Sequence, residues 1–413
     1  MEIALSPRMA ARIEAIARSH LGLQGDIEIE TKSASNDGDN FLGVVHSLKA
    51  SGRTADGERR DTRFVLKTSH ADPTARGHLQ SAEVFDKEIR FYSRILPAFR
   101  DLQRRRCGED QPDLLPFIPE CFAAEVGVGG EGDYILMRDM KALGFEMGDR
   151  TQGMSREMAF LSFKAIARLH AFSFAMKELD PQAFRELSGG LRHVFFVPEK
   201  KEMYRGCFQS VAEGVLEVVR ARSPSSASRL ERWVAEGFVD GITAVNEADE
   251  PLSVINHGDV WVNNVLFRGC PPEEISVLDY QMIQTHSPAI DLLYTMYTSL
   301  RKETRDQIYA DLLLEYHDTL TSTLRRLGVR EDVLSMETLE EHMKKYALYG
   351  LNLSVFLAPM MFGKLTEEIV QVTDGDAMSK MAWNHRVFLK DEDIQVLVTD
   401  VVDEFVRRGC LED

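Results

Sequence analysis

The sequence predicts an α+β protein in two lobes, a small β-rich front and a large helical back. Three observations carry that reading. Two paired runs of strand-forming residues fall within the first 140 positions. From about residue 154 onward, apolar residues recur at helical spacing. A single island of loops and short strands, from INHGDVWVNNVLFRG to ISVLDYQM, interrupts those helices about two-thirds along the chain.

The elements follow in order. Residues 8–22 have helical apolar spacing. FLGVVHSLKA (41–50) and RFVLKTS (63–69) read as strands, and the polar, turn-rich SGRTADGERRD between them completes a hairpin signature. SAEVFDKEIRFYSRIL (81–96) is helical by its period. FIPECFAAEV (117–126) and DYILMRDM (133–140) form a second hairpin. Between them GVGGEG (127–132) matches a dinucleotide fingerprint by letter. It leads into a strand rather than opening a helix, so it reads as a hairpin turn. Helix patterns cover 154–178, 198–221, 226–247, 302–327, 336–357 and 391–408. The expected lobes are 1–137 and 138–413.

Composition removes several classes of function. The 413 residues carry 66 acidic and 49 basic side chains, a formal net charge of -17. Nucleic acids and anionic membranes demand a basic footprint, so neither is an expected partner. The first twenty residues, MEIALSPRMAARIEAIARSH, hold no apolar signal core. The longest apolar run, ALYGLNLSVFLAPMMF, contains Asn352 and Pro359 and falls short of the roughly 18 residues of a membrane span. Five scattered cysteines without CxxC spacing suggest neither a disulfide framework nor a zinc site, and a reducing, cytoplasmic setting is the simple reading. No obligate protein partner is evident.

The island carries the chemistry. His257-x-Asp259 is followed by Asn264, five residues past the aspartate, and by Asp279 at the end of the apolar strand ISVLD. Phosphoryl transfer from ATP to a hydroxyl needs this set: one carboxylate to take the hydroxyl proton, and a carboxamide and a second carboxylate to hold Mg²⁺ against the phosphates. A chance H-x-D in a turn is the bland alternative, and Asn264 and Asp279 in place argue against it. The upstream partners occur in the required order. Lys67 lies in the strand FVLK and suits the α- and β-phosphates; Glu88, in the helix FDKEIRFY, suits an ion pair with it. Alone, either would read as a solvated side chain. The backbone of Met137, Arg138 and Asp139 offers an edge for adenine. Trp261 reads as packing for the loop rather than pocket lining.

These residues identify a resemblance. HGDVWVNNVLF (257–267), VLDYQ (277–281), Asp-Leu-Leu-Tyr (291–294), FVLKTS (64–69), FDKEIRFYSRILP (85–97) and ILMRDMKALGF (135–145) are similar to the ecdysteroid kinase-like (CHK kinase-like) family, within the aminoglycoside and choline kinase branch of the protein kinase-like fold. The ordered motifs span residues 40–294. The resemblance implies that Asp259 is the catalytic aspartate, that Asn264 and Asp279 hold Mg²⁺, that Lys67 contacts ATP phosphates with Glu88 paired to it, that His257 supports the catalytic loop and that Asp291 braces it from the following helix. It also implies a nucleotide loop in SNDGDNFLGVV (35–45), around Gly38, Asp39, Asn40 and Phe41.

Asp279 is followed by Tyr-Gln rather than Phe-Gly, and no A-P-E follows, which leaves no room for an activation loop or peptide platform. The acceptor is therefore expected to be a small-molecule alcohol. The resemblance points to an ecdysteroid-like steroid hydroxyl or a hydroxylated xenobiotic. A choline- or aminoglycoside-type acceptor is the alternative within enzymes, and a nucleotide-binding pseudokinase scaffold is the alternative outside them. The pocket is expected between the 257–264 loop and the helices after residue 300, where Tyr346, Tyr349, Phe356, Met360, Met361 and Trp383 supply apolar surface.

Overall fold

The computed structural model describes residues 5–33, 44–69, 81–127, 132–194, 197, 201–236, 252–362 and 387–411. The chain forms two compact units, Met1–Pro97 with Ile118–Phe145, and Ala98–Phe117 with Glu146–Asp413. The units are discontinuous in sequence, whereas the 137/138 division follows chain order alone.

The first unit is an antiparallel five-stranded sheet in the order β1-β2-β3-β5-β4. Its strands are β1 (Leu23–Ser33), β2 (Val44–Thr54), β3 (Arg59–Thr68), β4 (Cys121–Glu125) and β5 (Tyr134–Arg138). Helix Pro7–Leu21 starts at Ser6, whose hydroxyl accepts from the Met9 N–H, and ends at Gly22 in the left-handed region. Its buried stripe Met9, Ile13 and Ala17 packs on Leu48, Ala50, Phe64, Leu66, Tyr134 and Leu136 of the sheet.

The hairpin expected across SGRTADGERRD is present and its strands run further than their apolar runs: β2 and β3 stay paired out to Arg53 and Arg59, and Asp56-Gly57 sits in a short turn closed by Gly57 N–H to Thr54 O at 3.0 Å. The ladder holds this polar ribbon together although most of its side chains from Arg53 to Asp61 are exposed. β1 was not expected. Its apolar anchors are the buried Leu23 and the half-buried Ile27 and Ile29 in an acid-rich run, which suits an edge strand whose charges discourage further pairing. The helix expected over 81–96 is Ser81–Arg90, followed by a wider turn, Phe91–Ile95, and by helix Leu96–Cys107. Pro97 has no N–H for the ordinary ladder, and the Leu96 N–H bonds instead to Phe91 O.

The second unit is built on helix Arg156–Leu179, whose fourteen buried residues include Phe163, Phe172 and His170. Against it packs Lys302–Leu327. The helices expected at 198–221 and 391–408 are Lys201–Arg222 and Glu392–Arg407. The one expected over 226–247 is described as Pro224–Glu236, its remainder lying outside the described residues. The single helix expected over 336–357 is two, Met336–Lys345 and Ala347–Met361, parted at Tyr346. Helix Ala289–Ser299 is the helix that the resemblance places around Asp291, although no helical period announces it. Every residue in it is buried, so it has no polar face to reveal a helical period. Small sheets β6-β8-β9 and β10-β7 carry the island: β6 (Glu146–Met147), β7 (Val254–Asn256), β8 (Val265–Arg268), β9 (Glu274–Val277) and β10 (Gln284–His286).

Candidate active site

In the first unit, β3 presents Lys67 to Glu88 on helix Ser81–Arg90. Nζ lies 2.6 Å from Oε2, with the two side chains 8% and 0% exposed. Leu66 and Phe64 fill the core from the opposite face of the strand, so the pleat alternation points Lys67 away from it. A buried ion pair is an expensive way to gain stability, because both charges leave water. Met137, Arg138 and Asp139 follow on β5. Arg138 N–H donates to Glu120 O at 2.9 Å and Asp139 N–H to Arg63 O at 3.3 Å, so neither is an open donor for a base edge. Gly38, Asp39, Asn40 and Phe41 lie outside the described residues, as do residues 128–131 of the GVGGEG turn.

In the second unit, the island folds around His257. Its Nδ1 accepts from the Asp259 N–H at 3.2 Å and its Nε2 donates to Leu278 O at 2.9 Å. One neutral tautomer, with the proton on Nε2, satisfies both bonds and ties the loop to the strand that leads to Asp279. Asp291 takes the His257 and Gly258 N–H groups, both at 2.7 Å, and meets His170 Nε2 at 3.2 Å. Burial alone would raise the Asp291 pKa; His170, His257 and the Gly258 N–H together outweigh it and hold the carboxyl below its ordinary value.

Gly258 answers a need the sequence reading left unnamed. Its φ is +81°, and a Cβ there would sit 2.2 Å from Met282 O. Only glycine fits between the histidine and the aspartate.

Asn264 and Asp279 are brought together by strand register. Val265 opens β8 opposite Val277 at the end of β9, and Leu278 N–H donates to Asn264 O at 2.8 Å. Asn264 Nδ2 donates to Asp259 Oδ2 at 2.8 Å and to Asp259 O at 3.0 Å. Asp279 sits at φ +67°, the one non-glycine residue at positive φ among those described, with Gln281 Nε2 3.1 Å from its Oδ2. Such backbone strain concentrates at functional sites. Asp259, Asn264 and Asp279 are half-buried, whereas His257, Gly258, Val260 and Trp261 around them are buried. Trp261 therefore packs, at 6% exposure.

Tyr294, one turn after Asp291 on the buried helix, donates its hydroxyl to Asp259 Oδ1. Burial first, then the Asp259 charge, pushes its phenol well above the usual range. The Asp-Leu-Leu-Tyr string held both braces, and their three-residue spacing on one helix face was the available signal for the second.

Tyr346, Tyr349 and Met361 are buried at 8%, 1% and 2% exposure and Phe356 is half-buried. The Met360 side chain and Trp383 lie outside the described residues. Burial first, then the charges of Asp291 and Asp259, raises the Tyr349 phenol, and its helix packs on Ala289–Ser299.

No cluster of three His, Cys, Asp or Glu side chains able to hold a metal occurs among the described residues. The donor set of Asn264 and Asp279 nonetheless suits Mg²⁺. That ion keeps waters and is completed by substrate phosphates, and with Asn264 Nδ2 committed to Asp259, the amide oxygen is left as the coordinating atom.

The five-stranded antiparallel sheet followed by a largely helical unit is the protein kinase-like fold. The chain belongs to the ecdysteroid kinase-like family, whose model matches residues 37–329. Among solved structures it is similar to the ethanolamine kinase of Plasmodium vivax, at 10% identity over 90% of this chain and 83% of that one, with a TM-score of 0.42. The GDP complex of an aminoglycoside 2'-phosphotransferase mutant aligns at 12% identity over 96% and 99%, TM-score 0.41. An aminoglycoside phosphotransferase from Streptomyces rimosus aligns at 16% over 84% and 98%, TM-score 0.31. A search of curated proteins gave no significant match. No described helix is long and apolar enough to cross a membrane.

Proposed function

We propose that this chain transfers the γ-phosphoryl group of ATP to a hydroxyl of a bulky apolar alcohol, steroid-like in size and polarity, in a reducing, cytoplasmic setting. The observation that carries the reading is the Asn264–Asp259 clamp. It fixes a carboxylate where it can take a proton and frees an amide oxygen beside Asp279 for a metal.

In this reading Asp259 receives the proton of the acceptor hydroxyl as the oxygen attacks phosphorus. Lys67, held by Glu88, steadies the α- and β-phosphates. Asn264 and Asp279 would hold Mg²⁺, which supplies charge neutralisation at the phosphate oxygens. His257 and Asp291 keep the loop in place through main-chain bonds. Gly38, Asp39, Asn40 and Phe41 are the proposed phosphate loop, and Met137 to Asp139 the proposed adenine edge, by main-chain carbonyls rather than by the engaged Arg138 and Asp139 N–H groups.

The acceptor class rests on helix Ala347–Met361, ALYGLNLSVFLAPMM, which is apolar almost all round and packs on the helix that carries Asp291 and Tyr294. Apolar walls with one positioned hydroxyl suit an apolar alcohol better than a polycation, and the methionines would let such walls adapt to several ligands. The test is ATP consumption across hydroxylated steroids, amino alcohols and aminoglycosides, with mass spectrometry for the added phosphate. Turnover confined to the apolar alcohols supports the reading. Equal or better turnover of an aminoglycoside overturns the acceptor assignment.

A further inference from the structure

Asp259 is not an open base in this structure. Asn264 Nδ2 occupies Oδ2 and the Tyr294 hydroxyl occupies Oδ1. The two donors are held differently. Asn264 is fixed at four points: two bonds from its amide into Asp259, its own N–H to Trp261 O at 2.9 Å, and its carbonyl to the Leu278 N–H. The Tyr294 hydroxyl, on a buried side chain, reaches Asp259 by a single bond. It also presents the same chemistry as an acceptor alcohol, an O–H directed at a carboxylate oxygen.

We propose that Tyr294 is a placeholder for the acceptor: its phenol fills the acceptor-hydroxyl position on Asp259 until a real acceptor displaces it, and in doing so it keeps water from that position. The inference rests on the kinase reading above and deepens it. Phosphoryl-transfer enzymes hold a reactive donor beside bulk water at about 55 M, and a base that activates an alcohol can also activate water.

In productive transfer, the acceptor oxygen forms the new bond to the γ-phosphorus, the bond from that phosphorus to the bridging oxygen breaks, ADP leaves with the electron pair, and the alcohol proton passes to Asp259. In the wasteful reaction, water takes the alcohol's place in every step, and ATP and water give ADP, inorganic phosphate and a proton. Tyr294 cannot replace either nucleophile while it is in place. It is a buried phenol whose pKa lies well above the usual range, and its proton is already shared with the carboxylate.

Tyr294 is thus a positioning and selectivity residue, and it separates two rates that a purely structural residue would move together. The experiment follows inorganic phosphate release from ATP and Mg²⁺ without acceptor, for the parent chain, Tyr294→Phe, Tyr294→Leu and Tyr294→Phe with Asp259→Asn. ATP affinity is measured by calorimetry and the melting temperature is followed in parallel. The expected result is a rise of roughly 100-fold in acceptor-independent hydrolysis for Tyr294→Phe, the lower end of one general-base contribution, with ATP affinity kept. The same rise is expected in Tyr294→Leu should the phenylalanine variant be poorly folded, and its disappearance in the double variant. Hydrolysis at or below the parent rate in folded single variants that still bind ATP overturns the placeholder and leaves the kinase reading standing. A parent chain that binds no ATP overturns both.

Discussion

The side-chain amide of Asn264 spends both its hydrogens on Asp259, one on the carboxylate at 2.8 Å and one on the main-chain carbonyl at 3.0 Å. A residue that holds its neighbour so completely has only its oxygen left for a ligand. Asn264→Ala should therefore do two things together. Acceptor phosphorylation should fall by roughly 100-fold or more, as a loosened base and a lost metal ligand predict. Mg²⁺ should also enhance ATP binding less, as it should in Asp279→Ala. ATP titrations with and without Mg²⁺ check this; a full Mg²⁺ enhancement in both variants would remove the metal assignment.

The Lys67–Glu88 pair separates stability from function. Lys67→Met leaves Glu88 buried without its cation, which costs about 3–5 kcal/mol when such a pair is broken. Adding Glu88→Gln should restore much of the lost melting temperature, because the uncompensated charge is gone. It should restore no phosphate transfer, because the ammonium is still missing. Recovery of activity along with stability in the double variant would show that Lys67 matters only to the fold.

Gly258→Ala tests the loop itself. The added methyl would meet Met282 O at 2.2 Å on a backbone at φ +81°. The left-handed conformation alone costs about 1–2 kcal/mol for an L-residue, and the overlap adds to it. Thermal denaturation should show a clear loss of stability, and the surviving folded protein should transfer phosphate poorly, since Asp259 is the next residue. A variant with parent-like melting and turnover would contradict the described backbone.

Asp291 gives a pH signature. Its folded-state carboxyl lies below the ordinary value of about 3.9, so it is charged at neutral pH. A depressed carboxylate contributes stability that is fully present above the unfolded value and is lost as pH falls through the folded one. Asp291→Asn should accordingly be much less stable than the parent chain at pH 7, and the gap should narrow as pH drops below about 4. Urea midpoints measured across that range decide the matter, and a gap that stays constant with pH would exclude the charged carboxylate as the brace.

Much of the fold and most of the site can be read from the sequence, and the exceptions have physical causes. Lys67 and Glu88 are legible because each lies in an element with a clear period, a strand and a helix, and chain order pairs them. The His257 to Asp279 island is legible because polar groups beside Trp-Val and Val-Leu-Phe need partners or ligands. Helix Ala289–Ser299 is legible only through the resemblance, because burial on all sides erases its period; the role of Tyr294 goes unread although its spacing from Asp291 is there. β1 hides in acidic residues, and the far ends of β2 and β3 show no strand pattern because main-chain bonds, not apolar side chains, extend them. The engaged N–H groups of Arg138 and Asp139 depend on partners at Glu120 and Arg63, which no local pattern discloses.

The most direct test of the central claim is phosphate transfer to an apolar alcohol by the parent chain and by Asp259→Asn, with ATP affinity measured on the same samples. The account predicts that the parent chain phosphorylates the alcohol, that Asp259→Asn loses at least about 100-fold of that turnover, and that ATP affinity stays within a few fold because the carboxylate serves the acceptor. Turnover by Asp259→Asn within about tenfold of the parent chain would contradict it, since a general base cannot be removed at so small a cost.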